Sequence, residues 1–124
     1  LSSQVLYHQA RGIHCAAMSD GQSVRVTAED IGRHNTLDKL AGLLLLKAET
    51  FQPRVLLTTG RVSSEMLQKA ARMGAQVVVS RTSPTRLSVK MAQQAGITLV
   101  GYASRAQFNI YTHPQRVAGA PGLD

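Results

Sequence analysis

The sequence has a single cysteine, Cys15, and no tryptophan among its 124 residues. A lone thiol excludes an internal disulfide and a cysteine-built zinc site within the chain. It suits a reducing setting, so a cytoplasmic location is expected. Aromatic residues make up 4% of the chain, too few for the stacking platforms of single-strand nucleic-acid binders. The longest apolar run, Leu40 to Leu46 with Gly42 inside it, falls far short of the ~20 residues that cross a bilayer, and no membrane association is expected. No secretory signal pattern opens the sequence, and Leu1 in place of Met reads as the start of a fragment or processed product. Acid is scarce too: 7 Asp and Glu stand against 14 Lys and Arg, for a net charge of +7. That balance suits anionic partners. The cations are scattered rather than gathered into a stripe, however, so a polynucleotide is not favoured over a phosphorylated small molecule.

What is present is regular. Leu1–Arg11 reads as a short helix with Val5 and Leu6 on one face, ended by Gly12. His14–Ser19 and Val24–Thr27 read as strands joined through Asp20-Gly21, a strong hairpin signal because both turn residues tolerate positive φ. Leu37, Leu40, Ala41, Leu44, Leu45 and Ala48 recur at three-four spacing and predict a helix, for which Thr27 or Asp30 would be the cap. Strand and helix then alternate. Val55–Thr59 is a strand, and a helix follows with Met66, Leu67, Ala70 and Met73 inward and Glu65 paired to Lys69 outward. Gln76–Ser80 is the next strand, leading to a helix with Ser83 as cap, Pro84 as first residue and Leu87, Met91, Ala92 and Ala95 as its apolar stripe. Ile97–Tyr102 and Phe108–Tyr111 are the last strands. Strand–helix–strand crossovers require parallel strands. The expected fold is therefore a single α/β domain over 1–124, a three-layer α/β/α arrangement around a mixed sheet.

In such sheets ligands bind beyond the carboxyl ends of the parallel strands. Two loops there share a composition: Thr58-Thr59-Gly60-Arg61-Val62-Ser63-Ser64 and Ser80-Arg81-Thr82-Ser83-Pro84-Thr85. Each offers hydroxyls and an arginine where a helix begins, which suits phosphate. Each serine also serves as an ordinary cap, and the arginines as solvated surface. Neither loop matches the G-x-x-x-x-G-K-[ST] pattern, so ATP hydrolysis is not supported. Arg33, His34 and Asn35 open the leucine-rich helix, where a polar outer face with an Asp30–Arg33 pair is the plain alternative to a ligand role. His14 reads as a core histidine and Cys15 as a small buried apolar residue. His113, before Pro114 at a strand end, is exposed by expectation.

Several segments taken in order resemble the C-terminal portion of the FdhD family, the formate dehydrogenase accessory sulfurtransferases. They are Gly12–Ala17, Glu29–Lys39 with its E-D-x-G-R-H-N core, Thr59–Met66, Ser83–Thr85, Ala95–Gly101 and Phe108–Pro114. The resemblance implies a cytidine-deaminase-like fold. It implies a function in formate dehydrogenase maturation: persulfide sulfur received from a cysteine desulfurase and delivered to a molybdenum bis(molybdopterin guanine dinucleotide) cofactor, which is bound as cargo. GDP is then a partial mimic, and a homodimer with formate dehydrogenase as client is expected. The family's cofactor-contacting stretch corresponds to Phe108, Asn109, Ile110, Tyr111, Thr112 and His113. With the loop residues the expected binding set becomes those six with Gly60, Arg61, Ser63, Ser83, Thr85, Arg33, His34 and Asn35. No catalytic or metal-binding residue is assigned. The family's persulfide cysteine lies in a C-x-x-C loop upstream of the glycine–histidine strand, and the sequence begins after that point; Cys15 does not correspond to it. Zinc deaminases need a glutamate near the first ligand and a later P-C-x-x-C. His14-Cys15-Ala16 lacks the former and the chain lacks the latter, so zinc hydrolysis is not expected. The alternatives are a nucleotide-binding chaperone module without catalysis and a basic RNA-binding domain.

Overall fold

The computed structural model describes residues 12–48, 50–104 and 106–117. Six strands form one sheet: β1 (His14–Ser19), β2 (Val24–Asp30), β3 (Val55–Thr58), β4 (Val77–Ser80), β5 (Thr98–Gly101) and β6 (Asn109–Thr112), in spatial order β2-β1-β3-β4-β5-β6. β3, β4 and β5 run parallel, with Val55 beside Val77 and Val77 beside Thr98. The pairs β1–β2, β1–β3 and β5–β6 are antiparallel. Helices α1 (Arg33–Leu46), α2 (Ser64–Arg72) and α3 (Arg86–Ala95) link β2 to β3, β3 to β4 and β4 to β5. The mixed α/β sheet is thus the one the alternation predicts.

All three helices lie on one face. Leu37, Leu40 and Leu44 of α1, Met66, Leu67 and Ala70 of α2 and Ala92 of α3 share a single core with Ala16, Met18, Val26, Leu56, Val78 and Leu99 from the strands. The alternate strand residues Cys15, Ala17 and Leu57 form a second, small cluster on the other face. Among the described residues no helix lies on that face; the helix expected over Leu1–Arg11 falls outside them. No described helix is long and apolar enough to cross a membrane.

The β1–β2 turn is longer than a two-residue hairpin. Asp20 Oδ1 accepts from the N–H groups of Gln22 and Ser23, both at 2.9 Å, and Gly21 takes φ 96°. These bonds, first Ser23 and then Gln22, hold the Asp20 carboxyl below its usual range. Two helix starts differ from expectation. α1 has Gly32 as its N-cap, because Thr27 is still paired in β2 and the Asp30 carboxylate accepts from Gly32 N–H instead. α3 is capped by Thr85, whose hydroxyl accepts from Ser88 N–H at 3.1 Å. Pro84 stays outside that helix because it is bridged to Val62 in the neighbouring loop.

Candidate functional site

The C-terminal ends of β3 and β4 lead directly into the starts of α2 and α3, and the two loops are joined to each other. Ser80, fully buried at the end of β4, donates its hydroxyl proton to the Gly60 carbonyl at 2.8 Å. With that proton committed, Ser80 Oγ accepts from Thr82 N–H at 3.0 Å and faces Thr82 Oγ1 at 3.3 Å. Arg81 N–H donates to the Thr58 carbonyl, and Thr85 N–H to the Val62 carbonyl at 3.0 Å. Thr58 Oγ1 accepts Gly60 N–H, tightening the first loop on itself. The hydroxyls that end the parallel strands therefore set the spacing of both corners.

Each corner ends in a capped helix. Ser63 accepts from Met66 N–H at 3.3 Å, so its hydroxyl acts as the cap of α2. By helix geometry the N–H groups of Ser64 and Glu65 in α2, and of Arg86 and Leu87 in α3, have no intrahelical partner. Arg61 and Arg81 are exposed beside them. Two helix N-termini and two arginines along the edge where the central strands β3 and β4 finish form an anion-attracting surface.

Glycines allow further elements to close on this edge. A Cβ on Gly60 would lie 3.0 Å from Arg33 Cβ, so the first residue of α1 packs directly on the β3–α2 loop. A Cβ on Gly101 would lie 2.9 Å from Tyr111 Cε2 and 3.0 Å from both Pro84 Cδ and the Thr82 carbonyl. Only glycine lets β5, the Tyr111 ring and the β4–α3 loop meet. Tyr102, next in the chain, takes φ 52° and donates its N–H to the Thr82 carbonyl. An exposed tyrosine in the left-handed region, pinned at such an edge, marks a constrained corner.

The expected site residues separate into those this edge gathers and those it does not. Gly60, Arg61, Ser63, Ser83, Thr85, Arg33, Asn109 and Tyr111 lie in or beside the joined corners. His34 starts α1 and reaches toward Glu65 in the first turn of α2, with Nε2 and Oε2 4.0 Å apart. Asn35 turns back toward Gly32 and Asp30 and adds the smallest share to the lowering of the Asp30 carboxyl. Asp30 itself pairs with Lys39 at 2.7 Å rather than with Arg33. The Lys39 hydrogen bond, then the Gly32 N–H, lowers the Asp30 carboxyl to about 2. Lys69 pairs with Asp38 of α1 at 2.9 Å, not with Glu65, because the packing of α1 on α2 supplies a nearer carboxylate. Phe108 is half-exposed and turns toward the helix-free face, where it borders a broad depression of about 1090 Å³ with Val79 and Val100. Ile110 is half-buried opposite Val100.

Thr112 and His113 lie away from the corners. Thr112 is buried, donating to the Ile97 carbonyl and accepting from Leu99 N–H. His113 Nε2 meets the Gln93 carbonyl at 2.8 Å, and its own carbonyl accepts from Thr98 Oγ1. Both tie β6 to the far end of α3 and β5, since an antiparallel strand carries its last residues away from the end where it starts. The sequence reading missed the roles of Ser80, Thr58, Thr82 and Gly101. A hydroxyl closing both β3 and β4 was the available signal.

His14 begins β1 opposite Asp30, and its buried Nδ1 has no hydrogen-bond partner among the described residues. Cys15 is 3% exposed, and burial first, then Glu29, raises its thiol above the ordinary range. No group of three or more His, Cys, Asp or Glu placed to hold a metal occurs among the described residues.

This arrangement defines an α/β domain of the cytidine-deaminase-like kind. The dCMP deaminase of cyanophage S-TIM5 matches it with a TM-score of 0.57 over 71% of this chain and 79% of its own, at 14% identity, a likeness of fold alone. The chain belongs to the FdhD/NarQ family, whose pattern matches residues 1–118. Sulfur carrier protein FdhD of Staphylococcus aureus (strain MRSA252) is 45% identical over 116 residues, 94% of this chain and 44% of its own length. The protein of that name from strain Newman matches to the same extent. A crystal structure from Desulfotalea psychrophila, described as that of a formate dehydrogenase accessory protein, has a TM-score of 0.81 at 34% identity over 92% of this chain and 51% of its own. The chain thus spans about half the length of these relatives.

Proposed function

We propose that this domain holds the guanine-nucleotide end of a molybdenum bis(molybdopterin guanine dinucleotide) cofactor while sulfur is delivered to it, in the maturation of formate dehydrogenase. The observation that carries this reading is the fastening of two phosphate-ready helix starts to one another through Ser80–Gly60 and Thr85–Val62. A diphosphate linking two large groups needs adjacent anion sites at fixed spacing, and one isolated corner would not supply them. In this reading the N–H groups of Ser64 and Glu65 receive one phosphate and those of Arg86 and Leu87 the other. Arg61 closes over them, while Tyr111 and Asn109 border the base or the pterin.

The chain's own thiol is unsuited to carrying sulfur. The nucleophile in thiol exchange is the thiolate, and Cys15 is buried with its ionisation disfavoured. The persulfide therefore comes from a cysteine outside this chain, loaded by a cysteine desulfurase, and this domain presents the acceptor.

Calorimetric titration with GDP tests the reading. Saturable binding is expected, weakened about tenfold in Arg61→Ala, on the scale of one charge-assisted bidentate contact. Equal affinity in the two proteins would remove Arg61 from the site. Single-stranded RNA binding that falls steeply with salt and ignores GDP would replace the cofactor with a polynucleotide.

A further inference from the structure

The opposite end of the molecule carries an apolar surface left exposed among the described residues. α1 ends in four consecutive leucines, Leu43–Leu46. Leu44 is buried and Leu43 packs against the core, but Leu45 is 82% and Leu46 85% exposed. Gly42, Leu45 and Leu46 stand at i, i+3 and i+4, on one helix face. A side chain at Gly42 would meet nothing within 4 Å. Glycine in a helix interior costs stability relative to alanine, and no close contact within the described chain requires it there.

Beside this face lies a groove of about 310 Å³ between α1 and α2, with Leu44 and Met73 in its floor. Arg54, Lys69 and Arg72 edge it; Arg54 also donates to the Met73 carbonyl, Lys69 pairs with Asp38, and Asp38 is the one carboxylate among the described residues that line it. Two naked leucines, a flat glycine between helix turns and a cationic rim are the features of a helix-in-groove surface. A second copy of the chain would bring the same cations to this rim at a net charge of +7 each. We infer that the Gly42–Leu45–Leu46 face and its groove dock an amphipathic helix with acidic flanks, carried by a different protein. The last turns of α1 and α2 lie at the end of the sheet away from the helix starts, so such a partner leaves the candidate site open.

A synthetic helical peptide, with leucine at i, i+3, i+4 and i+7 and glutamate at its outer positions, serves as the probe by fluorescence anisotropy. The same peptide with lysine for glutamate is the control. The glutamate peptide should bind at least tenfold tighter than the lysine one, and its affinity should fall as salt rises. Gly42→Gln should raise the melting temperature, by removing a helical glycine, yet weaken the peptide at least tenfold. Leu46→Ser should weaken it similarly with the fold intact, and saturating GDP should not displace it. The inference is overturned if neither peptide binds, if both bind equally, or if Gly42→Gln binds as well as the natural chain. Concentration-dependent dimers abolished by Leu46→Ser in sedimentation would also overturn it, assigning the face to a second copy.

Discussion

The two ends of the sheet are built on opposite terms. At the end where β3 and β4 finish, the Ser80 hydroxyl crosses to the other loop, Thr58 tightens its own, and two glycines exist because other elements sit against them. At the end where α1 and α2 finish, Leu45 and Leu46 contribute little to the core, and Gly42 has open space around it. Burial requires that the Ser80 hydroxyl be hydrogen-bonded, but it does not explain the bareness of the second end. A rigid polar edge suits a small ligand that must meet several groups at fixed distances. A smooth apolar face with charges at its margin suits another protein.

Substitutions at the two ends should separate accordingly. The largest effect is expected for Gly101→Val, which forces atoms into Tyr111, Pro84 and the Thr82 carbonyl. It should cost about 3 kcal/mol in urea unfolding, at the upper end of ordinary overpacking, and remove GDP binding. Ser80→Ala comes next. It strands the buried Gly60 carbonyl and the partly buried Thr82 N–H, for about 2 kcal/mol. GDP affinity should drop about tenfold while guanosine, lacking phosphate, changes little. An equal loss for both ligands would mean general damage rather than loss of corner spacing.

Asp30→Asn probes the junction between β2 and α1. The folded carboxyl titrates at about 2 against an ordinary 3.8, so ionised Asp30 stabilises the fold above that ordinary value, and the contribution is lost as pH falls through about 2. The melting-temperature gap between the natural chain and Asp30→Asn should be constant above pH 5 and shrink across that interval. A gap that persists below pH 2 would show that Lys39 and Gly32 are not the cause. Leu46→Ser is the smallest. The side chain is solvated at the far end, so stability should stay within about 0.5 kcal/mol; a larger loss would mean that the face is covered within the chain.

Much of this was legible in the sequence, for local reasons. Apolar spacing and the hydroxyl–arginine loops depend on neighbours within a few residues, and they placed the strands, the helices and the corners between them. What the sequence concealed is tertiary. Pro84 reads as a first helical residue until Val62 from another loop pairs with it. Glu65 and Lys69 read as a helix pair until Asp38 arrives from α1. Thr112 and His113 share a family segment with Asn109 and Tyr111, yet strand direction carries them to the other end. Ser80 is one serine among many in one dimension, and its reach to Gly60, twenty residues earlier, exists only in the fold.

A backbone-amide NMR titration of the whole chain with GDP puts the joined corners to the most direct test. Ser64, Glu65, Arg86 and Leu87 should shift together along one saturation curve, and guanosine should leave them in place. Shifts confined to a single corner, or gathered around Val79 and Val100 on the helix-free face, would contradict the account.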